Sequence, residues 1–272
     1  MFYKLLLIIL VFFSMQVESS SKLNECEARW NEISAKSESP ANTKSNWMNI
    51  EQECKDTGLY YHYLSLINVL EKKYDTAHEN IQKGLNNYTD SNEYLLIDEA
   101  DLLMHKAIFV KNANKQELYE KSDKLFKKLL AKYPNSFVGM SQYASLKLVR
   151  NQNAMAVELA EKSIEIMPNL VGLRTLAIAA QRIGESEKTL EAAKKIVAAN
   201  RLEQFLGDAE FMLSVALAYN RTGAPDTAFG TLKTLLSNNE DVKHDPAVKE
   251  VFEEIKKTYL QQKSNTHIDS HN

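Results

Sequence analysis

Three arginines in the second half of the chain, Arg174, Arg182 and Arg221, are its best candidates for binding chemistry. A guanidinium presents paired N–H donors that match a carboxylate, so these groups suit an acidic side chain or the C-terminus of a peptide. Gln181 and Asn220 stand beside two of them and could set the register of a bound chain through their amides. A competing, local role exists. Arg150, Arg182 and Arg221 fall near expected helix C-termini, where a cation meets the negative end of the helix dipole. Catalytic patterns are missing. The chain has no H-E-x-x-H, no G-x-S-x-G, no Gly-rich phosphate loop and no Cys with a nearby His partner. Glu158, Glu161 and Glu165 share one helix face and read as solvated. His267 and His271 would make a metal pair only in a helical tail, and residues 264–272 read as disordered. No catalytic residue, metal or cofactor is therefore expected.

Cys26 and Cys54 are the other reactive pair. Pro40 stands midway between them, so two helical pieces, about 22–36 and 43–56, would turn at Ser-Glu-Ser-Pro and bring the cysteines face to face. A disulfide there would close a loop of roughly 30 residues and stabilise the hairpin by ~3 kcal/mol. Trp30 and Trp47 fall on the same hairpin and are expected to pack together. An oxidising compartment agrees with the N-terminus. Residues 1–19 read as a cleaved secretory signal: Lys4, then the apolar run Leu5–Phe13, then small residues at Val17 and Ser19. That run is too short for a comfortable membrane span, and no second apolar span follows, so no stable span is expected after cleavage. The expected location is periplasmic or secreted.

These residues need elements to position them, and composition narrows the choice. The 272 residues include only eight Gly and five Pro, too few for the tight turns of a β-sandwich or barrel. The net charge of -3 is mixed along the chain, and Lys124, Lys127, Lys128 and Lys132 are spaced like a solvated helix face. A nucleic-acid partner is not expected. The organising feature is repetition. Helix–turn–helix patterns recur with turns at Lys72–Asp75, Lys111–Lys115, Arg150–Asn153, Gly184 and Gly223–Pro225. Small residues sit at matching places, Ala77, Ser122, Ala156, Thr189 and Ala228, separated by 45, 34, 33 and 39 residues. Small side chains there let two antiparallel helices approach closely. A helix over Pro246–Lys263 then carries Val248, Val251, Phe252, Ile255, Tyr259 and Leu260 on one face, as a cap needs.

A period near 34 residues is that of the tetratricopeptide repeat, and residues 58–238 resemble that family. The fifth copy matches best through Val215, Ala216, Tyr219, Gly223 and Ala228; the third keeps Tyr143, Ala144, Ala156 and Pro168. The fourth keeps Leu176, Ala177, Ala180, Gly184 and Ala193 but has Thr189 where Ala is usual, and the second departs most. The resemblance implies an all-α, right-handed α-solenoid of about five hairpins. The expected domains are a stapled N-terminal hairpin at 20–57, the repeats at 58–238 and a capping helix at 239–263. It also implies that first helices line a concave groove, with His62, Leu66, Ser141, Ser145, Arg174, Ile178, Gln181, Arg182, Leu213, Asn220 and Arg221 facing it. The family's Lys and Asn set for chaperone tails is not found, so that specificity is not carried over.

The expected function is that of an exported, non-catalytic adaptor holding a protein or peptide partner in this groove, in envelope assembly or secretion. Two alternatives are a regulatory subunit of an envelope enzyme and a secreted effector-associated protein. Mass spectrometry of the exported protein should show loss of about 19 residues and a mass two hydrogens below the reduced chain. A retained N-terminus, or two thiols open to alkylation, would overturn the export reading.

Overall fold

The computed structural model describes residues 25–29, 45, 48, 51, 54, 55, 57–89 and 92–269, with side chains as far as 264. The signal-like segment 1–19, Trp30 and Trp47 lie outside the described residues. From Gly58 the chain forms five antiparallel helix pairs. They are α1 (Gly58–Leu70) with α2 (Tyr74–Asn87), α3 (Asn92–Phe109) with α4 (Lys115–Lys132), α5 (Phe137–Val149) with α6 (Asn153–Ile166), α7 (Leu170–Arg182) with α8 (Ser186–Ala198), and α9 (Ala209–Arg221) with α10 (Pro225–Asn238). A closing helix, α11, runs Pro246–Asp269. No strand occurs among the described residues.

Each pair is turned by one residue with positive φ: Lys72 (60°), Asn112 (67°), Asn151 (58°), Gly184 (87°) and Gly223 (83°). In four of the five, the next N–H bonds back to a carbonyl five residues earlier: Lys73 to Asn68, Gln152 to Lys147, Glu185 to Ala180 and Ala224 to Tyr219. This left-handed cap satisfies carbonyls that the helix end would otherwise leave open. First helices begin on side-chain caps instead. Thr57, Ser136, Asn169 and Asp208 accept from backbone N–H groups of α1, α5, α7 and α9.

The five matching small residues, Ala77, Ser122, Ala156, Thr189 and Ala228, are all fully buried between the helices of their pair. Where Ala is replaced, the hydroxyl finds a partner across the contact. Ser122 Oγ donates to the Ala100 carbonyl at 2.8 Å, and Thr189 Oγ1 to the Ala177 carbonyl at 2.9 Å. A buried hydroxyl is tolerated only with such a partner. Pairs then stack as closely. A Cβ on Gly84 would stand 2.7 Å from Leu95 Cδ1, and one on Gly172 would stand 2.8 Å from Ile164 Cγ2. First helices pack on first helices along the row α1, α3, α5, α7, α9, while each second helix meets the next first helix. The first helices therefore form the tighter inner wall of an α-solenoid.

Both ends are covered. Cys26 and Cys54 form a disulfide with Cα atoms 5.0 Å apart, and the bridge is buried with Leu59, Tyr63 and Ile67 of α1. At the other end Ile255 of α11 joins Ala216, Ala228 and Leu232. Two features depart from expectation. A 3-10 turn, Leu202–Phe205, occupies the longer spacing before the fifth pair, and Phe205 packs on Phe211 at 5.1 Å between ring centroids. And α11 continues past Lys263 to Asp269, so residues 264–269, read from sequence as a disordered tail, are helical. Neither Gly nor Pro lies in that stretch to stop the helix.

Gly184→Ala should destabilise the chain by about 1 kcal/mol or more, because an L side chain is strained at positive φ even in open space. Gly230→Ala, exposed inside α10, should stabilise it by up to about 1 kcal/mol through helix propensity. Urea unfolding of both variants checks the pair, and equal effects would contradict the turn argument.

Candidate functional site

A narrow cleft opens on the inner wall between α1, α3 and α5, with a cavity volume of about 30 Å³. Helical spacing assembles it. His62, Ser65, Leu66 and Val69 come from α1; Tyr94, Asp98, Asp101 and His105 from α3; Val138 and Gln142 from α5. The α3 residues follow steps of four, three and four, which keeps them on one face. Ile97 and Leu102 complete an otherwise apolar lining that contains no Lys or Arg.

Asp98 ties the first two pairs together. Its Oδ2 lies 2.8 Å from His62 Nδ1 and 2.8 Å from Ser65 Oγ, and Tyr94 packs on His62 at 5.4 Å. Ser65 Oγ is shared between Asp98 and the His62 carbonyl at 2.7 Å. It does not bond the imidazole, so no base stands ready to take its proton. Three further polar groups of the lining are left over. Asp101 Oδ1 is enclosed and has no hydrogen-bond partner. Burial, and then the charge of Asp98, push its carboxyl well above the usual carboxylate range. His105 is 7% exposed and stacks on Phe109 at 5.7 Å, but its ring nitrogens make no hydrogen bond. Burial pulls it down to about 4, so it is neutral at ordinary pH. Gln142 is 4% exposed and its amide is also unpartnered. Among the described residues no cluster of His, Cys, Asp and Glu is arranged to hold a metal ion, and no helix is long and apolar enough to cross a membrane.

The arginines lie elsewhere on the inner wall and are engaged within the chain. Arg174 is buried; its Nε donates to Asp208 Oδ2 at 2.6 Å and its Nη2 to Asp208 Oδ1 at 3.2 Å. Burial works against that charge, but Asp208 outweighs it and raises the guanidinium further. Arg182 donates to the Leu148 carbonyl at 3.2 Å and to Glu210, which Arg174 also reaches at 3.4 Å. Thus two of the three arginines converge on Glu210 and clamp the fourth pair to the fifth. Arg221 is exposed at the end of α9 with no partner among the described residues. Gln181 accepts from Ser186 at 3.1 Å, and its Nε2 is enclosed and unpaired, as is Asn220 Oδ1.

A comparable tie joins the second and third pairs. Burial disfavours the Asp123 charge, but hydrogen bonds from Lys127, Lys147 and Tyr143 outweigh it and hold the carboxyl down to about 2. Of the groove positions implied by the repeat resemblance, His62 and Leu66 line the cleft. Asp98, Asp101, His105 and Gln142 were missed by sequence reasoning. The available signal was the polar stripe on one face of α3, inside the copy that departs most from the repeat pattern.

No family model matches the chain, and no curated protein matches it. Solved structures similar to it include a mutant of MamA, with 14% identity and a TM-score of 0.46 over 67% of this chain and 97% of that one. A second is the Cut9–Hcn1 hetero-tetramer of APC/C, with 10% identity and a TM-score of 0.47 over 86% of this chain and 46% of that one. A third is the TPR2AB-domain complex of yeast Sti1 with pHSP90, at 12% identity and a TM-score of 0.34 over 88% and 100%. The fold, five stacked antiparallel helix pairs, is carried by the turns and close contacts of the chain itself.

Asp101 gives a pH-dependent outcome. Its carboxyl is raised above 3.8 in the folded chain, so its contribution to stability is full below that value and is lost as pH rises. Asp101→Asn lacks this loss. Its gain over wild type, measured by urea unfolding, should be near zero at about pH 4 and grow toward about pH 8. His105 is common to both proteins and cancels. A gain that shrinks with rising pH would contradict the burial of Asp101.

Proposed function

We propose that this protein is an exported, non-catalytic adaptor that docks a protein or peptide partner on its inner wall, in envelope assembly or secretion. The observation that carries the docking reading is the α1–α3–α5 cleft, with its unpartnered Asp101, His105 and Gln142. Folded chains pair nearly all buried polar groups, and groups left unpaired in an open apolar cleft are available to a ligand. The shape supports it too, since stacked first helices offer a continuous concave surface. Periplasmic or secreted location is supported by the signal-like N-terminus and agrees with a buried disulfide. Partner contact extends in this reading to the far pairs through the exposed Arg221, with Asn220 half-buried beside it and Gln181 buried behind. Arg174 and Arg182 hold the wall in shape.

Crosslinked capture of the mature protein from its own cells tests this. Leu66→Arg, which puts a bulky cation in the cleft lining, should reduce capture of a specific partner about ten-fold, equivalent to ~1.4 kcal/mol, at a temperature where circular dichroism shows the variant folded. Arg221→Glu should weaken capture less. Identical capture by wild type and Leu66→Arg would overturn inner-wall docking.

A further inference from the structure

Building on inner-wall docking, we infer that the α1–α3–α5 cleft receives a lysine side chain of the partner, its stem against Leu66, Val69, Leu102 and Val138 and its ammonium at Asp101, His105 and Gln142. Four observations converge. First, the walls are apolar while the unpaired polar groups are few, which suits a side chain with an aliphatic stem and a charged tip. Second, the charge complements a cation. Two carboxylates, Asp98 and Asp101, line the cleft, and no Lys or Arg does. Of these, Asp98 is engaged by His62 and Ser65, whereas Asp101 Oδ1 is enclosed without a partner.

Third, the remaining groups accept rather than repel. His105 and Gln142 are each more than nine-tenths buried, make no hydrogen bond and line the cavity. A neutral imidazole nitrogen, an amide oxygen and a carboxylate oxygen are three separate acceptors, which matches the three N–H donors of an ammonium. A guanidinium would instead ask for a flat, paired acceptor. Fourth, the state of Asp101 is that of a site waiting for positive charge. Its carboxyl is held up by burial and by Asp98, and a cation beside it would reverse that balance and release its proton. An acidic C-terminus is disfavoured by the same charges.

The test uses the full mature chain and two probes, N-acetyl-lysine N-methylamide and its norleucine counterpart, followed by NMR signals of the Gln142 amide and the His105 ring. At about pH 8 the lysine probe should bind about ten-fold more tightly than norleucine, and Asp101→Asn should remove that preference while leaving norleucine unchanged. Equal binding of both probes, stronger binding of an arginine counterpart, or no shift of the cleft signals would overturn the lysine assignment. A second measurement separates this from the docking reading. If Leu66→Arg abolishes partner capture but Asp101→Asn and acetylation of partner lysines leave it intact, docking stands and the lysine assignment falls. If none of the three changes capture, both fall. Loss of capture with all three supports both.

Discussion

The structure depends on how closely two helices of a pair approach. Ala77, Ser122, Ala156, Thr189 and Ala228 sit at that contact with no exposed surface. A larger side chain at any of them would push first and second helices apart, and the next pair would lose its seat. Ser122 and Thr189 show how tight the constraint is. Their hydroxyls fit only because a carbonyl of the facing helix has a lone pair to spare. Gly84 and Gly172 apply the same rule between pairs, where an added Cβ would meet a Leu95 or Ile164 methyl. Curvature, groove and cleft all follow from these distances.

Polar ties decide how pairs are joined once they are close. His62 and Asp98 connect the first pair to the second, Asp123 with Lys147 and Tyr143 the second to the third, Ser145 with Thr175 the third to the fourth, and Arg174 with Asp208 the fourth to the fifth. Most involve buried charge, and breaking such a tie leaves an unpaired ion, which costs far more than the pair contributes. These ties fix the relative placement of first helices, and thereby the wall on which a partner would lie. Asp208 serves twice, as cap of α9 and as acceptor for Arg174. That double role explains why the arginine is spent within the chain.

The cleft is where unpaired groups gather on one lining. Asp101 and His105 of α3 and Gln142 of the facing helix are left over together there, whereas Asn92, Gln152, Gln181, Gln204 and Asn220 each carry an unpaired buried atom elsewhere. The two carboxylates of α3 stand a single turn apart, and only one has a partner. Such an arrangement costs folding free energy, since both burial and like charge oppose ionisation of Asp101. It persists in a cleft that is open on one side.

By itself the sequence determined the helices, the turns and the pairing. Helical periodicity and the recurrence of small residues are local signals. The positive-φ position at Lys72 was less legible, because Gly184 and Gly223, and more weakly Asn112 and Asn151, announce such a turn by residue type. Only the tertiary structure decided which polar groups are spent and which are free. Arg174, Arg182 and Arg221 look alike along the chain, yet two meet the carboxylates of Asp208 and Glu210 some 34 and 28 residues away and the third meets none. Asp98 and Asp101 are equally alike, three residues apart on one helix. His62 and Ser65, brought over from α1, engage the first and leave the second. Charge and residue type are written locally, but whether a charge is compensated depends on what the stacking of distant helices places beside it.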